Sequence, residues 1–181
     1  FLGEAISNPK RPFIAILGGA KVSDKISVIE KLLEKADALL IGGAMAYTFF
    51  KAQGLPVGKS LVENDKLDLA RKILADAKAR NFRLLLPVDH VLSAELKADA
   101  PQQVAGIGGT PADWMGLDIG PKTVAAFRAE IARAKTIVWN GPMGVFEMPA
   151  FANGTIEIAQ AVAAATTAGA TSIIGGGDSV A

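Results

Sequence analysis

Two lysines four residues apart, Lys21 and Lys25, follow an apolar run and a glycine pair in Ile14-Ala15-Ile16-Leu17-Gly18-Gly19-Ala20-Lys21-Val22-Ser23-Asp24-Lys25. A strand that ends in glycine at a helix start is the geometry in which backbone N–H groups approach a phosphate. The spacing predicts both ammonium groups on one side of the helix's first turn. That turn carries the positive end of the macrodipole, where a cation costs roughly 0.3–1 kcal/mol, so two cations make better sense facing a polyanion. Two solvated lysines on a surface helix are the plain alternative. The second feature is Gly175-Gly176-Gly177-Asp178-Ser179, a glycine turn opening a helix. Its N–H donors suit an anion, and Asp178 beside them would repel that anion unless a cation such as Mg2+ lay between. A simple helix cap is the alternative for Asp178. Together the lysines and this turn suit phosphoryl transfer, in which a protein positions phosphates and neutralises spreading charge.

The elements that must position these groups alternate. Strands are predicted at 13–17, 38–41, 82–88, 136–139 and 171–174, and helices at about 22–36, 44–53, 63–81, from Pro121 onward, and 153–168. The stretch Ser93 to Gly120 is too rich in glycine for a long element. Such alternation predicts an α/β fold, a three-layer, doubly wound, mostly parallel sheet of Rossmann-like type with helices on both faces. Ligands in such sheets sit beyond the carboxyl ends of the strands. Four of the five predicted strands end there in Gly18-Gly19, Gly42-Gly43, Asn140-Gly141 and Gly175-Gly176-Gly177, which suggests a floor kept open for one ligand.

Composition narrows the classes. A chain of 181 residues with 19 basic and 18 acidic side chains has one good core and no basic field for nucleic acid. Without cysteine it has no disulfide, zinc-finger or thiol chemistry, which fits a reducing cytoplasm. No basic-then-apolar leader opens the sequence, and Ala38 to Phe50 is too short and glycine-broken to span a bilayer, so no membrane partner is expected. No apolar stripe exceeds what sheet-covering helices need, and a monomer is expected. Gly54-Leu55-Pro56-Val57-Gly58-Lys59-Ser60 imitates a Walker A loop, but three residues separate its glycines where four are required. No Gly-x-Gly-x-x-Gly follows a strand, which disfavours hydride transfer. The single histidine, His90, lacks ligand-spaced partners and reads as structural.

Five segments also carry a resemblance: Gly18-Gly19-Ala20-Lys21-Val22-Ser23-Asp24-Lys25, Ile41-Gly42-Gly43-Ala44-Met45-Ala46, Trp114-Met115-Gly116-Leu117-Asp118, Trp139 through Glu147, and Gly175-Gly176-Gly177-Asp178-Ser179. In this order they resemble the signatures of phosphoglycerate kinase, in its C-terminal, nucleotide-binding domain. The resemblance implies phosphoryl transfer between 1,3-bisphosphoglycerate and MgADP, giving 3-phosphoglycerate and MgATP in glycolysis, with Mg2+ as cofactor. It implies that Lys21 and Lys25 meet the phosphates, Lys25 nearest the transition-state charge. Gly19, Gly42, Gly43, Leu61, Gly116, Leu117, Pro142 and Val145 would frame the adenosine, Glu147 would accept from the ribose, and Asn140 would approach the phosphate chain. Gly176, Gly177, Asp178 and Ser179 would hold the phosphates and their magnesium, Gly176 and Gly177 with catalytic roles and Asp178 as metal ligand. Ala44 stands where some members have a third glycine, and Ser179 where many have threonine.

The resemblance further implies that residues 1–12 are the end of an interdomain helix and linker. Residues 13–181 would be a nucleotide-binding domain truncated at its C-terminus. The glycerate-binding N-terminal domain and a returning C-terminal segment have no counterpart here. An isolated nucleotide-binding module without turnover is therefore the alternative reading.

Overall fold

The computed structural model describes residues 7–175. Its main sheet has five strands, β1 (Phe13–Leu17), β2 (Ala38–Ile41), β3 (Arg83–Leu85), β7 (Thr136–Asn140) and β8 (Thr171–Gly175). All pair in parallel in the spatial order β3-β2-β1-β7-β8. The chain winds outward from β1 in one direction and then crosses to its other side, so the topological switch point lies between the carboxyl ends of β1 and β7.

The β1 strand is buried on both faces, and its alternation assigns each side chain to a layer. Phe13, Ala15 and Leu17 meet α1 (Ile26–Lys35), α2 (Met45–Ala52) and α3 (Leu67–Ala79). Ile14 and Ile16 meet α4 (Pro121–Ala132) and α5 (Asn153–Thr167). The predicted three-layer, doubly wound α/β architecture is thus the observed one.

Two predictions need correction. The strand expected over 82–88 ends at Leu85, and the chain then leaves the sheet. The loosely patterned stretch that follows holds a second sheet, antiparallel, of β4 (Asp89–Ser93), β5 (Gln102–Gly106) and β6 (Met115–Ile119), with β4 central. Its strands are five residues long, one pairing is bulged at Val91/Leu92, and β5 is largely exposed, so no sustained alternation marks it.

This small sheet is fastened to the outer helices by two carboxylates. Asp89 of β4 accepts from the Lys122 and Thr123 N–H groups at 2.9 and 2.8 Å, at the start of α4. Asp118 of β6 accepts from the Gly154 N–H at 2.9 Å, at the start of α5.

Candidate functional site

The carboxyl-terminal edge of the main sheet is closed by interlocking backbone. Gly18 N–H donates to Asn140 O at 2.8 Å, Gly19 N–H to Pro142 O at 3.0 Å, and Gly43 N–H to Met143 O at 3.1 Å. A Cβ on Gly18 would lie 2.1 Å from Pro142 O, one on Gly141 2.4 Å from Gly18 O, and one on Gly43 2.6 Å from Gly19 N. These glycines let strand tips approach each other, which corrects the expectation that they leave an open floor. It also corrects the first anion argument, because the Gly18 and Gly19 N–H groups donate to carbonyls of the loop after β7. Gly19 is the exception on its outer side, where a Cβ would meet only Lys25 Cε at 3.9 Å.

Over this floor lies a cleft of about 430 Å3, within the range of small-molecule sites. One wall is the small antiparallel sheet and another the loop after β7. Its lining includes Gly19, Gly43, Leu61, Gly116, Leu117, Pro142, Val145 and Glu147, eight of the residues singled out in the sequence. Lys59 and Leu61 of the loop at 58–61 line the cleft, and the loop is tied to the small sheet: Ser60 Oγ accepts the Gly116 N–H at 2.9 Å, and Lys59 N–H donates to Trp114 O at 2.8 Å.

The lysines are arranged differently from the prediction. Lys21 is extended (φ −122°, ψ 119°), a 3₁₀ turn covers Val22–Asp24, and α1 begins only at Ile26. The helical spacing argument therefore does not apply. Lys25 bonds Asn140 Oδ1 at the tip of β7, across the switch point, with its stem beside Gly19, and Lys21, Lys25 and Asn140 are not among the residues that line the cleft. Lys21 is exposed. Gly42 faces inward, where a Cβ would lie 2.5 Å from Met143 Sδ. Gly176, Gly177, Asp178 and Ser179 lie outside the described residues.

Three cleft residues with polar side chains are not foreseen from the sequence. Asp118, between Leu117 and Ile119, is 3 % exposed. Burial pushes its carboxyl up to about 7, against the opposing pull of the Gly154 and Ile119 N–H groups. His90, expected just past a strand, lies within β4 and lines the cleft. Burial lowers its pKa to about 4, with the Asp89 charge acting the other way. Its Nδ1 lies 2.7 Å from Tyr47 Oη and its Nε2 3.3 Å from Thr110 Oγ1. Burial, with the Asp118 charge adding to it, raises the Tyr47 pKa, so the phenol stays protonated. The network is satisfied when Tyr47 donates to Nδ1 and the neutral ring donates from Nε2 to Thr110. Tyr47 in turn props up β6, since a Cβ on Gly116 would lie 1.7 Å from its hydroxyl. The available signals were the chain's only tyrosine, placed on an apolar helix, and a carboxylate between two aliphatic residues.

The family model for phosphoglycerate kinase matches residues 1–181. The chain belongs to the phosphoglycerate kinase family. The phosphoglycerate kinase of Acidobacterium capsulatum is 64 % identical over 182 residues, covering all of this chain and 45 % of that protein. That of Chlorobium phaeobacteroides is 60 % identical over 181 residues, covering all of this chain and 46 % of that protein. The solved phosphoglycerate kinase of Coxiella burnetii superimposes with a TM-score of 0.94 at 47 % identity, covering 99 % of this chain and 45 % of that one. The chain thus spans a little under half the length of these phosphoglycerate kinases. The cleft lies at the switch point, beyond the carboxyl ends of the strands, where open α/β sheets hold ligands.

Proposed function

We propose that the cleft holds ADP or ATP and that the chain is the nucleotide-binding part of a phosphoglycerate kinase. In this reading residues 13–181 form that domain and residues 1–12 end the connection to a glycerate-binding domain. The single observation that carries the reading is the convergence of eight nucleotide-framing residues on one apolar cleft at the β1/β7 switch point, in a family member.

The chemistry assigned to the complete enzyme is direct. A β-phosphate oxygen of ADP bonds to phosphorus as the bond to the carboxylate oxygen of 1,3-bisphosphoglycerate breaks, leaving 3-phosphoglycerate and ATP. Gly116, Leu117, Val145 and Leu61 enclose the adenosine, and Glu147 accepts from the ribose hydroxyls. Lys21 and Lys25 meet the phosphates, and Asn140 holds the Lys25 ammonium toward the charge that develops during transfer. Mg2+ neutralises phosphate charge when bound. Asp178 would be its protein carboxylate, with phosphate oxygens and water as the other ligands magnesium favours. The enzyme works in this reading as a cytoplasmic monomer. Among the described residues no helix is long and apolar enough to cross a membrane.

The length covered favours a second reading for the piece by itself, a nucleotide-binding module without turnover. Both readings require binding, so thermal unfolding of the chain with saturating MgADP tests them together. The melting temperature should rise, since a ligand at 100 times its Kd adds about 2.7 kcal/mol to native stability. An unmoved melting curve would refute the cleft assignment.

A further inference from the structure

Glu63 stands two residues beyond Leu61, where the chain leaves the cleft wall, yet its side chain reaches back to the lysine turn. One carboxylate oxygen accepts the Ser23 backbone N–H at 3.1 Å, and the other accepts the Ser23 hydroxyl at 2.6 Å. The Val22–Asp24 turn receives no cap from Lys21, the residue at its N-cap position. A carboxylate 40 residues away therefore supplies the acceptor that the turn's donor requires. Glu63 is itself anchored, because its N–H donates at 3.1 Å to Oγ1 of Thr48, a fully buried residue of α2.

The bonds that hold the cleft wall, Ser60 to Gly116 and Lys59 to Trp114, are separate from these. Val22 keeps the turn seated in the core, so loss of the Glu63 side chain would free the Ser23 side of the turn and leave the adenosine wall in place. Lys21 precedes the turn and Lys25, held also by Asn140, follows it, so the turn's attachment bears chiefly on where the Lys21 ammonium is presented.

We infer that Glu63 is a positioning residue for the phosphate end of the nucleotide, acting through Ser23 on Lys21. The inference rests on the nucleotide reading of the cleft. Electrostatics alone would predict the opposite result on mutation, since removing a negative charge near a phosphate site favours anion binding.

Calorimetric titration of the chain with adenosine and with MgADP gives the gain due to the phosphates as a ratio of dissociation constants. In Glu63→Ala, adenosine affinity should stay within about twofold while MgADP weakens about tenfold, the scale of one charge-assisted hydrogen-bonded contact. Glu63→Gln keeps an acceptor for the Ser23 N–H and a donor for its hydroxyl, and should bind MgADP within about threefold of the unsubstituted chain. Ser23→Ala, which removes one bond only, should give an intermediate loss and serves if Glu63→Ala does not fold. In a double-mutant cycle, the Glu63→Ala and Lys21→Ala losses should be non-additive. Equal weakening of adenosine and MgADP, additive losses, or an unchanged phosphate gain where Lys21→Ala reduces it would each overturn the inference. If the unsubstituted chain binds neither ligand, the nucleotide reading itself fails.

Discussion

Asp118 and His90, both in the cleft wall, titrate in opposite senses, so removing either should expose the other. Asp118 has its pKa raised by burial from 3.8 to about 7. A raised native pKa means that the folded chain binds the extra proton, so this group's contribution is fully present below pH 3.8 and lost as pH rises through about 7. At 1.36 kcal/mol per pH unit the span is worth about 4 kcal/mol. His90 has its pKa lowered by burial from 6.5 to about 4. Its contribution is fully present above pH 6.5 and lost as pH falls through about 4, a span worth about 3 kcal/mol. Across the shared window the two slopes run against each other and largely cancel. Asp118→Asn keeps the shape and one acceptor oxygen but cannot ionise, and His90→Gln keeps a donor and an acceptor without titrating. Urea unfolding at half-unit steps from pH 4 to 8 provides the assay, with each variant read as its difference from the unsubstituted chain so that other carboxylates drop out. The Asp118→Asn difference should rise by about 4 kcal/mol toward neutral pH, and the His90→Gln difference should fall by about 3 kcal/mol. Flat differences, or differences of the same sign, would refute the assignment of these charge states.

Three further outcomes follow from the site. Gly43→Ala forces a φ of +71° on alanine and drives Cβ to within 2.6 Å of Gly19 N, whereas Gly54→Ala meets the same strain at φ +83° with nothing within 4 Å. In urea melts Gly43→Ala should therefore cost about 2 kcal/mol more than Gly54→Ala, and equal costs would show that the strand tips yield easily. In the complete enzyme Lys25→Ala should cut kcat by about a hundredfold or more while changing MgADP affinity by less than about fivefold, because it serves charge that appears during transfer. Equal losses would make it a ground-state ligand. Asp178→Ala should weaken MgADP by about tenfold and metal-free ADP by less than about twofold, as paired titrations with Mg2+ and with a chelator would show.

The main sheet is legible from the sequence because its strands are short continuous apolar runs bounded by glycine, and buried parallel strands have that pattern. Glycine pairs after apolar runs mark strand tips, and Gly19 and Gly43 at two such tips line the cleft, whereas Gly116, within β6, and Pro142 are marked only by the family resemblance. The placement of the lysines is not legible. A four-residue spacing speaks only if the segment is helical, and here an extended residue and a 3₁₀ turn intervene before Ile26. The roles of the strand-tip glycines were equally hidden. A glycine needed for a ligand's approach and one needed for another backbone's approach look alike in a sequence, and of Gly18, Gly19, Gly42, Gly43 and Gly141 it is Gly19 that has open space for a Cβ.

The capping pattern ties the second sheet to the outer helices through bonds that no local signal marks. Helix starts are normally recognised by a local Ser, Thr, Asp or Asn at the N-cap. Here α4 follows Gly120, α5 follows Ala152 and the lysine turn follows Lys21, none of which supplies a side-chain cap. Each start is served instead by a carboxylate distant in sequence: Asp89 for α4, Asp118 for α5 and Glu63 for the lysine turn. A local cap stabilises only its own helix, whereas a long-range cap also fixes that helix relative to the segment that carries the carboxylate. Two of these segments are strands of the small sheet, with Asp118 itself in the cleft wall, and the third continues the loop that carries Leu61. The same three carboxylates that complete these starts therefore join the outer helices and the lysine turn to the elements around the cleft. A displacement of those elements cannot leave the turn or helices unaffected unless a carboxylate gives up its N–H partners.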